Sequence, residues 1–119
     1  MTPNDFRRIA LGMDGAVEGQ HMSHPDFRAN GRIFATISPD AKSGMVSLTP
    51  EQQQEFRDAA PDTFVPAAGA WGRGGATMVR LASADAETVG EAMTLAWQRV
   101  MSAVKPKSKS KPKAKKRRR

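Results

Sequence analysis

The sequence contains no cysteine, which excludes disulfides, thiolate metal sites and a cysteine nucleophile. No apolar run approaches the roughly 18 residues needed to cross a membrane as a helix. The first residues, MTPNDFRRIALG, mix acids and bases without an apolar segment, so no secretory signal is expected. Histidine occurs only twice, at His21 and His24, and lysine only once before residue 105, as Lys42. Acidic residues are missing from Lys105 to Arg119. These absences leave a small cytoplasmic protein as the expectation, nucleoid-associated if bacterial.

What is present divides at residue 104. The chain carries 19 Lys and Arg against 12 Asp and Glu, a formal +7. Ten of the cations lie in the last fifteen residues, KPKSKSKPKAKKRRR, so residues 1–104 by themselves carry −3. The basic character therefore belongs to an appendage and says nothing of the body. Residues 1–104 suit one domain with a single core. Residues 105–119 have too little to bury to offset the entropy of ordering and are expected to be disordered alone.

Helical spacing of Phe6, Ile9, Ala10 and Met13 behind Thr2-Pro3 predicts a first helix, ending at Gly12 or Gly15. Residues 16–22 read as a strand and His24-Pro25-Asp26 as a turn. Phe27 to Ala29 and Arg32 to Ile37 read as strands around an Asn30-Gly31 hairpin turn. Strict alternation there puts Ile33, Ala35 and Ile37 on one face and Arg32, Phe34 and Thr36 on the other. Met45 to Leu48 is a fourth strand. Thr49-Pro50-Glu51-Gln52 is a capping box opening a thin-faced, peripheral helix over 50–60. Pro61 to Pro66 reads as irregular, and Gly69 to Gly75 as a glycine-rich turn into a strand from Ala76 to Ala82. The stripe Val89, Ala92/Met93, Ala96/Trp97, Val100 and Val104 marks a last helix beginning at Ser83 or Asp85. Short connections between strands predict an α+β domain: an antiparallel sheet with helices on one face.

Several segments resemble, in order, the MmcQ/YjbR family of small bacterial proteins: Glu18-Gly19, His21-Met22-Ser23-His24-Pro25-Asp26-Phe27-Arg28, and Gly31 to Thr36. Leu48 to Gln52, Gly69 to Thr77 and Ala96-Trp97 continue the set, which spans about residues 5 to 101. The resemblance implies an α+β domain with a curved antiparallel sheet and a DNA-binding role. The basic arm is outside the family pattern.

His21, His24 and Asp26 offer zinc-binding groups, but the two histidines stand three apart before a proline rather than four apart on a helix. Turn chemistry is the better account, and no metal or cofactor is expected. Gly69 to Gly75 lacks the Gly-Lys-Ser/Thr ending of a phosphate loop and leads into a strand. A packed Trp71 is expected there rather than a stacking one. Arg28 and Arg32 flank the hairpin turn and, with Arg73, are candidates to reach phosphates. No spacing arranges Ser, His and Asp as a nucleophile with its base, so no enzyme is expected.

The arm has the strongest chemistry. Lys105, Lys107, Lys109, Lys111, Lys113, Lys115, Lys116, Arg117, Arg118 and Arg119 form the electrostatic footprint of a nucleic-acid ligand, with DNA the expected partner and RNA the alternative. The expectation is a monomeric, non-catalytic, largely sequence-nonspecific DNA binder, with Arg28, Arg32 and Arg73 orienting the body. The alternative is a body that binds a protein or small ligand near His21 and Trp71, merely localised to nucleic acid by its arm.

Overall fold

The computed structural model describes residues 1–21 and 24–102. Met22, Ser23 and residues 103–119, including Val104 and every cation of the arm, lie outside the described residues. Six strands form one antiparallel sheet: β1 (Val17–His21), β2 (His24–Ala29), β3 (Arg32–Ile37), β4 (Ser43–Ser47), β5 (Phe64–Pro66) and β6 (Ala76–Arg80). Their order is β1-β2-β3-β4-β6-β5, so four strands meander and β6 returns to pair with β4. The helices are α1 (Pro3–Leu11), α2 (Pro50–Ala59), the short α3 (Gly69–Arg73) and α4 (Ala86–Met101). The result is the α+β architecture that the strand spacing predicts.

Local chemistry fixes the helix starts. Thr2 and Asp5 exchange bonds across the first turn of α1, at 3.1 and 2.9 Å. Thr49 and Gln52 do the same for α2, at 3.1 and 3.0 Å. Asp85 caps α4 by accepting from the Thr88 backbone N–H at 2.7 Å. Each pairing answers backbone donors that a helix start leaves without a partner.

The main core lies between the sheet and the helices. Phe6 and Ala10 of α1 and Val89, Ala92, Met93, Ala96 and Val100 of α4 are buried against Phe27, Ala35, Ile37, Val46 and Val79. Gly44 makes the approach of α1 close, because a Cβ there would run into the Phe6 ring. Phe56 of α2 meets Phe64 of β5 with ring centroids 5.0 Å apart, closing the far end of the core. The opposite face carries a smaller cluster of Met45, Ala67 and Ala76, with Met78 beside it.

Three local expectations need correction. His24, Pro25 and Asp26 are not a turn but the start of β2, because they pair with His21, Gln20 and Gly19 of β1 in an antiparallel ladder. Pro25 is tolerated near the free end of the strand, where one ladder donor is dispensable. Within Pro61 to Pro66, Phe64–Pro66 forms β5, an edge strand too short for its alternation to show. The third correction concerns facing. Phe27 pairs with Ala35, but Arg28 pairs with Ile33, leaving Phe34 unopposed in a β-bulge. Phe34 and its neighbour Ala35 are both buried in the main core, which strict alternation forbids and a bulge permits.

The hairpin itself forms as expected. Asn30 (φ 56°) and Gly31 (φ 74°) both adopt the left-handed backbone that a two-residue turn of this twist requires.

Candidate nucleic-acid interface

Arg28 and Arg32 lie on either side of the hairpin turn, yet they meet different surroundings. Arg28 forks onto Asp26, with Nε to Oδ1 at 2.8 Å and Nη2 to Oδ2 at 3.1 Å. Asp26 is wholly buried and the Arg28 side chain 43% exposed, so the carboxylate is the inner partner of the pair. The hydrogen bond to Asp26, and then its charge, push the Arg28 guanidinium further above its ordinary value. Gly19 leaves room for this pair on β1, since a Cβ there would stand 2.9 Å from Asp26 Oδ1. Arg28 thus has a structural duty, with part of its surface still open to a ligand.

Arg32 has a different neighbour, one that sequence spacing does not reveal. It lines a cavity of about 270 Å³ together with Ile33, Ser47, Arg99 and Val100. Arg99, on the last turn of α4, donates from Nη1 to Ser47 Oγ at 3.0 Å and to the Leu48 carbonyl at 2.9 Å. Asn30 Nδ2 donates to the Val100 carbonyl at 2.9 Å and ties the hairpin to the end of α4. Arg99 reads in sequence as one polar position on an amphipathic helix, so no motif singled it out.

Trp71 and Arg73 sit on α3, and the glycine run is this helix rather than a turn. Gly69 (φ 67°) and Gly75 (φ 114°) supply positive φ at its two margins. Gly72 presses on the Ala67 backbone so closely that a Cβ would collide with it. From α2, the buried Gln53 amide donates to the Gly72 and Ala76 carbonyls at 2.9 and 3.0 Å. The packed side of α3 is therefore the Gly72 side. Trp71 points elsewhere and is 60% exposed, contrary to the packed indole expected from sequence. Arg73 is exposed beside it.

The structure does not bring His21 and Trp71 together. His21 ends β1 at one margin of the sheet, whereas α3 packs on β6 near the other. Four inter-strand intervals, about 19 Å, separate β1 from β6 along the sheet. The larger cavities lie elsewhere; one of about 460 Å³ runs between α2 and α4, lined by Glu55, Phe56, Ala59, Glu91, Thr94, Leu95 and Gln98. Among the described residues, no three or more of His, Cys, Asp and Glu are grouped to hold a metal ion. Among the same residues, no helix is long and apolar enough to cross a membrane.

A six-stranded antiparallel sheet with its long helices on one face defines the class: a small α+β protein, with arginines at the hairpin, on α3 and at the end of α4. The YjbR family model matches residues 11–99, and the chain belongs to this family. The fold is also similar to the crystal structure of Deinococcus radiodurans protein DR2400, whose family-model domain is DUF419. That likeness has a TM-score of 0.73 at 20% identity and covers 91% of this chain and 83% of that one. No curated protein matches the sequence.

Proposed function

We propose that the protein is a non-catalytic DNA-binding protein that grips the phosphate backbone with little regard to sequence. The observation that carries this reading is the confinement of ten Lys and Arg, with no acid, to residues 105–119 of a chain whose remainder is net acidic. Such a segment releases condensed counterions when it meets a polyphosphate, and contacts of Lys and Arg to phosphates carry no sequence information. Exposed Arg32, Arg73 and the open part of Arg28 orient the body, and exposed Trp71 beside Arg73 offers a ring to an unstacked base.

The test compares duplex-DNA binding by the full chain and by residues 1–104 across a salt series. If the arm neutralises about six to ten phosphates, affinity falls by about 10³ to 10⁵ between 50 and 200 mM salt. Residues 1–104 are expected to lose most of that affinity and of its salt dependence. Absence of salt-sensitive binding by the full chain overturns the proposal.

The acidic body and the apolar groove between α2 and α4 favour a second reading, in which the body binds a protein or small ligand and the arm only localises it. This reading gains if the isolated arm reproduces all DNA binding of the full chain.

A further inference from the structure

The end of α4 and the start of β3 place two guanidinium groups on one small concavity. Arg32 leaves the Asn30-Gly31 turn, Arg99 comes from the last helical turn, and both line the cavity with Ser47, Ile33 and Val100. No Asp or Glu contributes to that lining. Among the described residues neither arginine makes an ion pair, whereas Arg7, Arg8 and Arg28 each have an acidic partner. The hydrogen bonds of Arg99 go to a hydroxyl and a carbonyl, which hold its direction without cancelling its charge. Because Ser47 Oγ accepts from Arg99, its own O–H proton remains available to a further acceptor.

Two like charges on residues lining one concavity repel each other, and an anion between them reverses the sign of that interaction. The negative end of the α4 dipole opposes an anion here, but it is already answered. Asn30 bonds the Val100 carbonyl, and the Ser102 N–H and hydroxyl both reach the Gln98 carbonyl. The arm's first cation, Lys105, follows Ser102 by three residues. A polyanion seated at Arg32 and Arg99 therefore lies where the arm departs from the body.

We infer that this cavity is a phosphate seat, in which Arg32 and Arg99 clamp one phosphodiester of the bound nucleic acid and Ser47 donates a hydrogen bond to it. Guanidinium forks suit phosphate oxygens in both charge and shape. The seat rests on the nucleic-acid reading above and adds a fixed point to it. The arm alone can slide along a backbone, but a clamp at its root sets where the body sits.

The test uses the full chain with its arm intact. Binding to a 20-bp duplex is measured against salt for Arg32→Ala, Arg99→Ala and Arg57→Ala, the last removing an equal charge from α2. Thermal melting of each variant confirms the fold. Each cavity variant is expected to reduce the magnitude of the log–log salt slope by about 0.9, equivalent to about fivefold in affinity at 150 mM relative to 1 M salt. Arg57→Ala is expected to leave the slope in place. Arg32 makes no side-chain hydrogen bond within the described fold, so Arg32→Ala decides the matter even if Arg99→Ala unfolds.

An unchanged slope for Arg32→Ala, with the parent chain still binding, overturns the seat and leaves the broader reading standing. Failure of the parent chain to bind overturns both. A second arm follows the Arg32 and Arg99 Nε–Hε signals by NMR, with inorganic phosphate and with the duplex. Shifts with the duplex support the seat. Shifts with millimolar inorganic phosphate but none with the duplex assign the cavity to a free phosphate and overturn the nucleic-acid assignment.

Discussion

At the residue scale, what matters is which side chains are occupied and which are open. Trp97 donates from Nε1 to the Asp14 carbonyl at 2.8 Å, whereas Trp71 is largely in solvent. Fluorescence separates the two: Trp71→Phe is expected to remove the red-shifted, acrylamide-quenched part of the emission and leave the Trp97 part. Gly44 is occupied in another sense, by the Phe6 ring standing over it. Gly44→Ala is expected to cost about 1–3 kcal/mol through overpacking, read as a lower urea midpoint at unchanged slope. Asn30 combines left-handed backbone with a bond to the end of α4, and its replacement by Ala is expected to cost about 1–2 kcal/mol. Of these roles only the Asn-Gly turn was legible from sequence. The partners of Trp97, Gly44 and Arg99 come from distant segments, and spacing carries no signal of them.

At the element scale, the starts of α1 and α2 were the most legible feature, because each cap is written within four residues; that of α4 was narrowed to Ser83 or Asp85, and α3 read as a turn. Thr2 with Asp5, Thr49 with Gln52, and Asp85 with Thr88 need no tertiary information. The facing of β3 and the existence of β5 were not legible, since a bulge and a three-residue edge strand are settled by pairing with other strands. The caps also predict a pH response. The Thr2 backbone N–H, and then its hydroxyl, hold the Asp5 carboxyl below its usual range, and the Thr88 N–H and hydroxyl do the same for Asp85. A carboxyl lowered in the folded state contributes stability that is complete above its unfolded value, near 3.8, and is lost as pH falls through the lower folded value. Melting temperature is therefore expected to fall below about pH 4. Asp85→Asn, which keeps a capping oxygen, is expected to flatten part of that fall.

At the scale of the whole molecule, an acidic body carrying a cationic arm is a charge-separated chain. Under the proposed function, raising salt is expected to weaken the grip on a polyanion much more than it weakens the apolar core, which is insensitive to screening. Between 50 and 200 mM salt the melting temperature is expected to change little while DNA affinity falls by orders of magnitude, so the two measurements together separate folding from binding. The change of charge after residue 104 is legible because a run of charge needs no structure to be recognised. The concavity shared by Arg32 and Arg99 was not, because it exists only after the hairpin docks on α4.

The unopposed Phe34 also bears on which changes of length the sheet can absorb. An antiparallel ladder closed by a two-residue turn consumes residues in pairs, yet an odd number separates Asp26 from Thr36, so one must stand outside the pairing. Deleting Phe34 would make the count even and leave every other pair facing as it does now, at the cost of an empty space where the phenyl was, about 3–5 kcal/mol. The same deletion in the middle of β4, where pairing to β3 and β6 runs without interruption, would turn all residues beyond it to the wrong side. Shortening by one residue is thus a cavity problem in β3 and a topological one in β4.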